Sequence, residues 1–501
     1  MSQPLWHSIP YLCILLPLGS AAVTSVLKPR WARYWTMFAL LVVTSLSGVI
    51  SAIFASGAES YTYMMGHFPA PWGNEIRAGQ LEAVTALFFS LIMLLSLLGG
   101  LKKIDEHIDQ NKVSLYYVVL LLLTAALLAQ VYTNDIFTAY VFLEIMTLAA
   151  CALIAIRKRG RTLVAATRYM IMNLIGSGLF LLGIILLYDL TGHLLMSNMK
   201  EAVAALAKSG QYQVPLTVVV ALISIGLSIK SALFPFHTWS PDGHASAPTA
   251  VSMLHAGVLM KLGGYGCFRV AMYLMPEAAH ELSWIFIILT TISVVYGAFS
   301  ACVQTDLKYI NAYSSVSHCG LVLFAILMMN TTAGTGAILQ MLSHGLMTAL
   351  FFALIGMIYG RTHTRDIREL SGLMKVMPFL AVGYVIAGLA NLGLPGLSGF
   401  VAEMTIFNGA FMNNDTFHRV VTIIACTSIV ITAVYILRVI GRILYGTCRN
   451  EAHLKLTDAT WDERLTVICL IAAIAGMGTM PLWISDMVSG SVSTIISQLM
   501  N

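Results

Sequence analysis

The chain has 501 residues, of which 58% are hydrophobic and 10% charged, and its mean hydropathy is +0.82. Roughly a quarter of the residues of a soluble globular protein are charged, so this composition excludes that class. The formal net charge of +5 is spread over many loops and forms no single basic patch, and we therefore expect no nucleic-acid partner.

Apolar stretches long enough to cross a bilayer recur along the whole chain. A transmembrane helix needs about 20 apolar residues, and fourteen stretches have roughly that length, which predicts an all-α polytopic membrane protein with about 14 transmembrane helices. No lysine or arginine precedes the first stretch, so we expect a retained helix and not a cleaved signal peptide. We number the stretches segments 1 to 14, and they comprise residues 8–27, 34–55, 81–101, 114–133, 135–156, 163–190, 214–233, 247–275, 282–303, 309–329, 334–359, 377–410, 418–446 and 465–485.

The basic residues are distributed unevenly between the two sides of the membrane. With Arg419 and Arg442, near the two ends of segment 13, assigned to the adjacent loops, the loops after odd-numbered segments contain 19 lysines and arginines and those after even-numbered segments contain 4. The other 5 lie within segments. Lysine and arginine are enriched in cytoplasmic loops. This asymmetry predicts a multi-pass protein of the inner (cytoplasmic) membrane with both termini on the outer side.

The cysteine and glycine patterns bear on cofactors. The eight cysteines include no CxxC pair and no other metal-ligand spacing. The chain also has no glycine-rich nucleotide fingerprint after a strand. We therefore expect no iron–sulfur cluster, no metal site, no nucleotide site and no other cofactor.

Segment 5 contains a carboxylate, Glu144, about nine residues or roughly 14 Å inside the helix. A carboxylate at this depth needs a cation, and we expect Lys230 of segment 7 to supply it through an ion pair. Two interpretations remain open. A change in the separation of the pair adjusts how tightly the lysine holds its proton, or the pair is a static buried bridge.

Two lysines, Lys230 and Lys261, lie in the apolar stretch IKSALFPFHTWSPDGHASAPTAVSMLHAGVLMKLGGYG. Lysines at membrane depth are costly and mark ion or proton paths. The prolines of FPF and WSP must break segment 7 just after Lys230, because proline removes a backbone donor and clashes with the preceding turn. His237 and His244 follow the break, and they act either as proton relays or as hydrogen-bonding groups between helices.

Segments 10 to 12 add three titratable residues: His318 and His344 in apolar helices with serine and threonine neighbours, and Glu403 directly after the glycine- and proline-rich stretch LGLPGLSG. Two successive buried histidines between Lys261 and Glu403 favour a proton relay over simple helix packing. The two lysines and two glutamates within the membrane also balance in charge.

The interruptions in segments 7 and 12 occupy corresponding places in the chain. Paired broken helices indicate an inverted-repeat transporter. We therefore expect two inverted five-helix repeats, formed by helices 4–8 and 9–13. The predicted domains are scaffold helices 1–3 in residues 1–110, the repeats in residues 111–280 and 281–446, and a last helix in residues 447–501.

The motifs HTWSPDGHASAPTAVSMLHAGVLMKLGGYG, YINAYSSVSHCG, LQMLSHGLMTALFF and LGLPGLSGFVAE resemble one family over roughly residues 110–445. It comprises the antiporter-like subunits of respiratory complex I, Mrp-type cation/proton antiporters and membrane-bound hydrogenases. The resemblance implies a modulating pair at Glu144 and Lys230 and a central relay of Lys261, His318 and His344. It also implies an exit-side group at Glu403.

Glutamate at position 403 resembles the M (chain 4) type of complex I subunit, since most members of the family have lysine there. The short stretch after segment 14 lacks the lateral helix of the L type. The resemblance implies a proton-translocating subunit of a redox-driven NADH:quinone oxidoreductase, with other membrane subunits, including antiporter-like neighbours, as partners. Alternatives are a Na⁺/H⁺ antiporter subunit of Mrp D type, which YMIMNLIGSGLFLLGIILLYDLTGHL resembles, an ion-pumping hydrogenase subunit, and a structural spacer.

Overall fold

The computed structural model describes residues 5–68, 73–210, 214–448 and 450–496. These residues are almost entirely helical, which confirms the predicted all-α membrane fold. The strands in this part of the chain are β1 (Tyr61–Met64) and β2 (Glu75–Ala78). They pair antiparallel, with Tyr61 opposite Ala78, in the connection between segments 2 and 3.

Within the described ranges, ten helices are long and apolar enough to span a membrane. They correspond to segments 1–6, 9–11 and 13. Their bounds are Ile9–Val26, Pro29–Ala55, Gln80–His107, Gln110–Tyr132, Ile136–Ala155, Gly160–Thr191, Pro276–Val303, Leu307–Leu327, Thr331–Thr362 and Thr416–Leu444. Segment 14 forms a pair of helices, Trp461–Thr479 and Leu482–Ile496, bent by 70° at the break, and counts as an eleventh span if the pair is taken together.

The difference from about fourteen predicted helices lies in segments 7, 8 and 12, which are interrupted. Segment 7 contains the helix Leu216–Lys230, which ends at Lys230. After the break, a short helix follows at Trp239–Ser246. Segment 8 alternates the α-helices Thr249–Leu254 and Met260–Gly266 with the π-helical stretches His255–Leu259 and Cys267–Met272. Segment 12 consists of Pro378–Asn391 and Ser398–Met412.

The remaining helices are short and lie in connections. Met196–Ser209 follows segment 6, and Leu373–Val376 precedes segment 12. Single 3-10 turns occur at Leu5–Ser8, Met65–His67, Phe236–Thr238 and Glu451–Lys455.

Local sequence explains the breaks in segments 7 and 12. Pro235 lacks the backbone donor that would continue the helix beyond Lys230. In segment 12, Gly393 and Gly396 have φ values of +64° and +92°, a region that residues with a Cβ rarely adopt. Each interruption follows a helix that carries the chain partway across the membrane. The division into two inverted repeats, and the domain boundaries, stay predictions.

Segment 11 forms the centre of the molecule. Its most apolar window is 100% buried, compared with 39% for segments 1, 2 and 6. It packs against segments 3, 8, 10, 12 and 14. Segments 8 and 11 approach so closely that a Cβ on Gly345 would lie 2.6 Å from the carbonyl oxygen of Gly257. Small residues permit such backbone contacts between membrane helices.

The predicted orientation can be tested at two exposed turns. Arg159 lies in the turn between segments 5 and 6, and Asn414 lies between segments 12 and 13. In a variant without the native cysteines, we expect Arg159→Cys to react with an impermeant maleimide only from the cytoplasm and Asn414→Cys only from outside. Labelling of both positions from the same side would contradict the alternation of fourteen crossings.

Candidate functional site

Lys230 lies at the last residue of the helix Leu216–Lys230, immediately before the break, and is buried. Its ammonium group donates a hydrogen bond to Thr147 Oγ1 at 2.6 Å. Thr147 lies in segment 5, one turn after Glu144, and its hydroxyl donates to the Leu143 carbonyl. Segment 5 therefore presents a hydroxyl and a carboxylate to the interrupted end of segment 7.

Glu144 is only half-buried and does not make the direct ion pair expected from the sequence. Within the described residues, no cation lies within 4 Å of its carboxylate, and its Oε1 atom is buried without a hydrogen-bond partner. It does interact electrostatically with Lys230. The reason for the difference is Thr147, which lies three residues further along the same helix face and offers the lysine a nearer oxygen. Sequence reasoning missed Thr147.

Lys261 is buried in the helix Met260–Gly266, directly after the π-helical stretch His255–Leu259. A π-helical turn replaces the usual α-helical hydrogen bonds. The N–H group of Met260 bonds to the carbonyl of His255 instead of that of Ala256. The Lys261 ammonium donates to the Ala256 carbonyl that is thereby left free. The irregular backbone of segment 8 thus supplies the polar partner of its own lysine.

His318, His344 and Glu403 meet at the contact of segments 10, 11 and 12, and all three are buried. The two imidazole centroids are 4.9 Å apart, and His318 Nδ1 lies 3.5 Å from Glu403 Oε1. Lys261 interacts electrostatically with both histidines. In the part of the chain that the structure describes, His318 Nε2 and both ring nitrogens of His344 have no hydrogen-bond partner. The three segments thus place two imidazoles and a carboxylate in one buried cluster.

A polar shell around His318 was mostly missed by sequence reasoning. Gln340 Nε2 lies 3.0 Å from His318 Nδ1. Behind it, Asn391 Nδ2 and the Tyr435 hydroxyl both donate to Ser314 Oγ, at 3.2 and 2.8 Å. Gln340 precedes His344 by one helical turn, and an amide at that spacing in an apolar helix was the available signal. These residues fix the position of the imidazole.

His237 and His244 lie in different surroundings in the structure. His237 packs among aromatic rings, with the Tyr296 ring 4.9 Å away. His244 is fully buried, its Nε2 atom lies 3.2 Å from Met260 Sδ, and its ring is 6.0 Å from that of His255. His255 was not singled out from the sequence, although it precedes Lys261 by only six residues in SMLHAGVLMK. His244 is thus beside a second imidazole, whereas His237 is beside the phenol of Tyr296.

Lys308 is a correction to the sequence analysis, which counted it among the loop residues. The side chain is buried at the start of the helix Leu307–Leu327. Its ammonium donates to the Ala247 carbonyl at 2.8 Å and to Ser252 Oγ at 3.0 Å. The carbonyl groups exposed where the helix Trp239–Ser246 ends draw the lysine into the protein, because they are acceptors that the helix itself leaves unpaired.

A buried ion pair also joins segments 3 and 8. Arg269 Nη1 lies 3.2 Å from Glu82 Oε1, and both side chains are almost completely buried. Segments 1–3 were expected to be scaffold, and the charge balance expected within the membrane did not include this pair. The pair ties that scaffold to the segment that carries Lys261.

Breaking this pair is expected to destabilise the protein. Arg269→Met removes the nearer of two cations from the buried Glu82 carboxylate and leaves it with Arg77, whose Nε lies 3.9 Å from Glu82 Oε1. Removal of one partner of a buried ion pair typically costs about 3–5 kcal/mol of unfolding free energy. The double variant Glu82→Leu, Arg269→Met removes both charges and is expected to recover most of that loss. Unfolding of the detergent-solubilised protein measures the effect. A double variant as unstable as the single one would contradict a role for charge pairing.

Among the residues that the structure describes, no group of three or more histidine, cysteine, aspartate or glutamate side chains is placed to hold a metal ion. The expectation that the chain carries no cofactor stays a prediction. The side chains of the candidate site come from segments 5, 7, 8, 10, 11 and 12.

Comparison with known proteins agrees with this arrangement. The sequence profile of the family described as NADH:quinone oxidoreductase/Mrp antiporter, transmembrane, matches residues 133–432. The chain belongs to this family. The matched region includes all eight titratable residues predicted from the sequence.

The similar curated proteins carry the names of complex I subunits. NAD(P)H-quinone oxidoreductase chain 4 1 of Synechococcus sp. (strain JA-3-3Ab) is 32% identical over 482 residues, covering 93% of this chain and 89% of that protein. NADH-quinone oxidoreductase subunit M of Rickettsia bellii (strain RML369-C) is 31% identical over 430 residues, covering 85% and 83%.

Solved structures share the fold over nearly the whole chain. A chain of the membrane-bound sulfane sulfur reductase, an archaeal respiratory membrane complex, has a TM-score of 0.88 and 26% identity, covering 98% of this chain and 99% of its own. The Mrp complex of Dietzia sp. DQ12-45-1b gives 0.87 and 19%, covering 99% and 98%. Respiratory complex I of Thermus thermophilus gives 0.86 and 22%, covering 98% and 99%. The chain thus resembles subunits of multi-subunit membrane complexes.

Proposed function

We propose that this chain is the M-type, proton-translocating membrane subunit of an NADH:quinone oxidoreductase-like complex in the inner membrane. The observation that carries the proposal is a set of five titratable side chains buried in the interior of the helix bundle. Lys230, Lys261, His318, His344 and Glu403 are all buried. Titratable groups at membrane depth are rare and are typical of proton relays.

The first step of the proposed path is at the broken end of segment 7. The Lys230 ammonium is hydrogen-bonded to a neutral hydroxyl, that of Thr147. A shift of segment 5 that brings Glu144 into contact would stabilise the charged lysine, and a shift away would favour release of its proton. The hydrogen bond from Lys230 to Thr147, without a direct contact to Glu144, supports this proposal. A change of separation, and not a static bridge, is therefore our proposal for this pair.

The later steps lead from Lys261 through the histidines to Glu403. Neutral imidazole accepts a proton on one nitrogen and releases one from the other. The 4.9 Å separation of the His318 and His344 ring centroids and the 3.5 Å distance from His318 Nδ1 to Glu403 Oε1 bring successive carriers together. Glu403 is the terminal carrier in this scheme. His244 and His255 form a side branch next to Lys261.

The partners that we propose are the other membrane subunits of such a complex, including neighbouring antiporter-like subunits, while electron transfer occurs in subunits other than this chain. An Mrp-type antiporter would use the same buried groups. Glu403 and the names of the curated relatives favour the complex I type. Purification of the native assembly distinguishes the two. Flavin and iron–sulfur subunits would support our proposal, and a set of small antiporter subunits would overturn it.

Lys230→Ala tests the start of the path. We expect the complex to assemble but to lose coupled proton translocation, because the proton carrier is gone. Lys230→Arg is expected to fail as well, since guanidinium does not release its proton at accessible pH. Dye-detected proton uptake into vesicles that contain the complex measures this. Lys28→Ala, at an exposed lysine in the turn between segments 1 and 2, is the matched control. Wild-type uptake by assembled Lys230→Ala would exclude the proposed role.

Glu403→Gln tests the end of the path. Glutamine keeps the shape of the acid and can form hydrogen bonds, but its amide does not take up and release a proton at accessible pH. We therefore expect proton translocation to fall about a hundredfold. Glu403→Asp is expected to retain part of the activity, and Glu403→Lys is expected to retain it if any titratable group suffices. The matched control is Glu277→Gln at an exposed position before segment 9. Full activity of Glu403→Gln in the same vesicle assay would mean that protons leave elsewhere.

A further inference from the structure

A strongly basic cavity opens beside the turn between segments 5 and 6, on the predicted cytoplasmic face. Its wall is formed by the ends of segments 5, 6, 10 and 11 and by the helix Trp239–Ser246. Of the described residues that line it, Asp242 alone is acidic, whereas six are cationic: Arg157, Arg159, Arg161, Arg168, Lys308 and Arg365. The proton path proposed above uses none of these six side chains.

Part of this positive charge is neutralised within the protein. Arg168 forms an ion pair with Asp242, and Arg365 Nη2 lies 3.0 Å from Asp306 Oδ2. Lys308 is directed away to backbone acceptors at the end of the helix Trp239–Ser246. These three cations therefore have protein partners and hold the wall of the cavity together.

The other three cations, Arg157, Arg159 and Arg161, lack such compensation. Within the residues that the structure describes, no carboxylate lies within 4 Å of their guanidinium groups, and Arg157 Nε is buried without a hydrogen-bond partner. Burial, together with the nearby Arg159 and Arg365 cations, lowers the pKa of Arg157 to about 10. An anion in the cavity would offset this repulsion and give the guanidinium groups acceptors.

The apolar surface next to the cavity indicates what kind of anion fits. Val164 lines the cavity and is 55% exposed. Ile171, Ile175 and Leu182 of the same helix are exposed by 53%, 52% and 45%. Their spacing of seven, four and seven residues places them on one helix face. An exposed apolar stripe therefore runs from the basic cavity toward the middle of the membrane.

We propose that this cavity binds the phosphate head group of an anionic phospholipid, whose acyl chain lies along the exposed face of segment 6. A phosphate pairs well with several arginines because its oxygens accept bidentate hydrogen bonds. Basic pockets between transmembrane helices at the cytoplasmic surface suit such head groups. A soluble phosphate compound would satisfy the arginines but would leave the apolar stripe unused. The lipid satisfies both.

The test uses the purified complex in nanodiscs of phosphatidylcholine with a trace of fluorescent phosphatidylglycerol. We expect the wild type to bind phosphatidylglycerol in preference to labelled phosphatidylcholine. Arg159→Gln with Arg161→Gln is expected to reduce that preference at least about fivefold. The matched control, Lys28→Gln with Arg30→Gln, removes two exposed cations from the turn between segments 1 and 2 and is expected to retain it.

Two further measurements distinguish a bound lipid from a soluble phosphate ligand and control for misfolding of the variants. Arg159→Lys with Arg161→Lys preserves the charge and is expected to retain most of the preference, with native subunit composition. Millimolar inorganic phosphate should leave the bound lipid in place. Displacement of the lipid by phosphate would identify a soluble ligand and overturn the proposal. Equal binding of the two lipids by the wild type, or equal losses in the glutamine and control variants, would also overturn it.

Discussion

Every interrupted helix of this protein must satisfy its backbone inside the protein, because hydrocarbon offers no hydrogen-bond partners. The structure meets this constraint because backbone carbonyls at the interruptions accept hydrogen bonds from buried lysine side chains. The π-helical turn of segment 8 gives the Ala256 carbonyl to Lys261, and the end of the helix Trp239–Ser246 gives the Ala247 carbonyl to Lys308. The same irregularities that require burial thus create the polar positions where charged side chains can reside.

The position of segment 11 follows from the same constraint. A fully buried helix at the centre allows segments 8, 10 and 12 to place their irregular or polar parts against protein on every side. His344 projects from that helix toward His318 of segment 10. Continuous helices with exposed apolar faces, such as segments 1, 2 and 6, form the periphery of the bundle. The most deeply buried helix, segment 11, is therefore also the helix around which the candidate site residues of segments 8, 10 and 12 are placed.

The sequence predicted the membrane fold and the interruptions of segments 7 and 12, since apolar length and proline are visible in one dimension. The functional role of the eight titratable residues stays a prediction. The sequence did not predict which hydrogen-bond and ion-pair partners the buried polar side chains have. Thr147 was missed because its hydroxyl is unremarkable in an apolar helix until Lys230 is placed against it. The ion pair of Glu82 and Arg269 was missed because it joins residues 187 positions apart, by the difference of their residue numbers. Lys308 lies near a loop in sequence, and only the fold turns it inward.

The glycine contact between segments 8 and 11 fixes how closely two of the proposed proton carriers approach each other. Gly257 lies four residues before Lys261, and Gly345 directly follows His344, so the backbone approach of the two glycines governs how far apart the lysine and the imidazole lie. A methyl group at either position would push the helices apart. Displacements of about 1 Å are enough to slow positioned chemistry about a hundredfold. Two residues without side chains thus fix the separation of two of the proposed proton carriers.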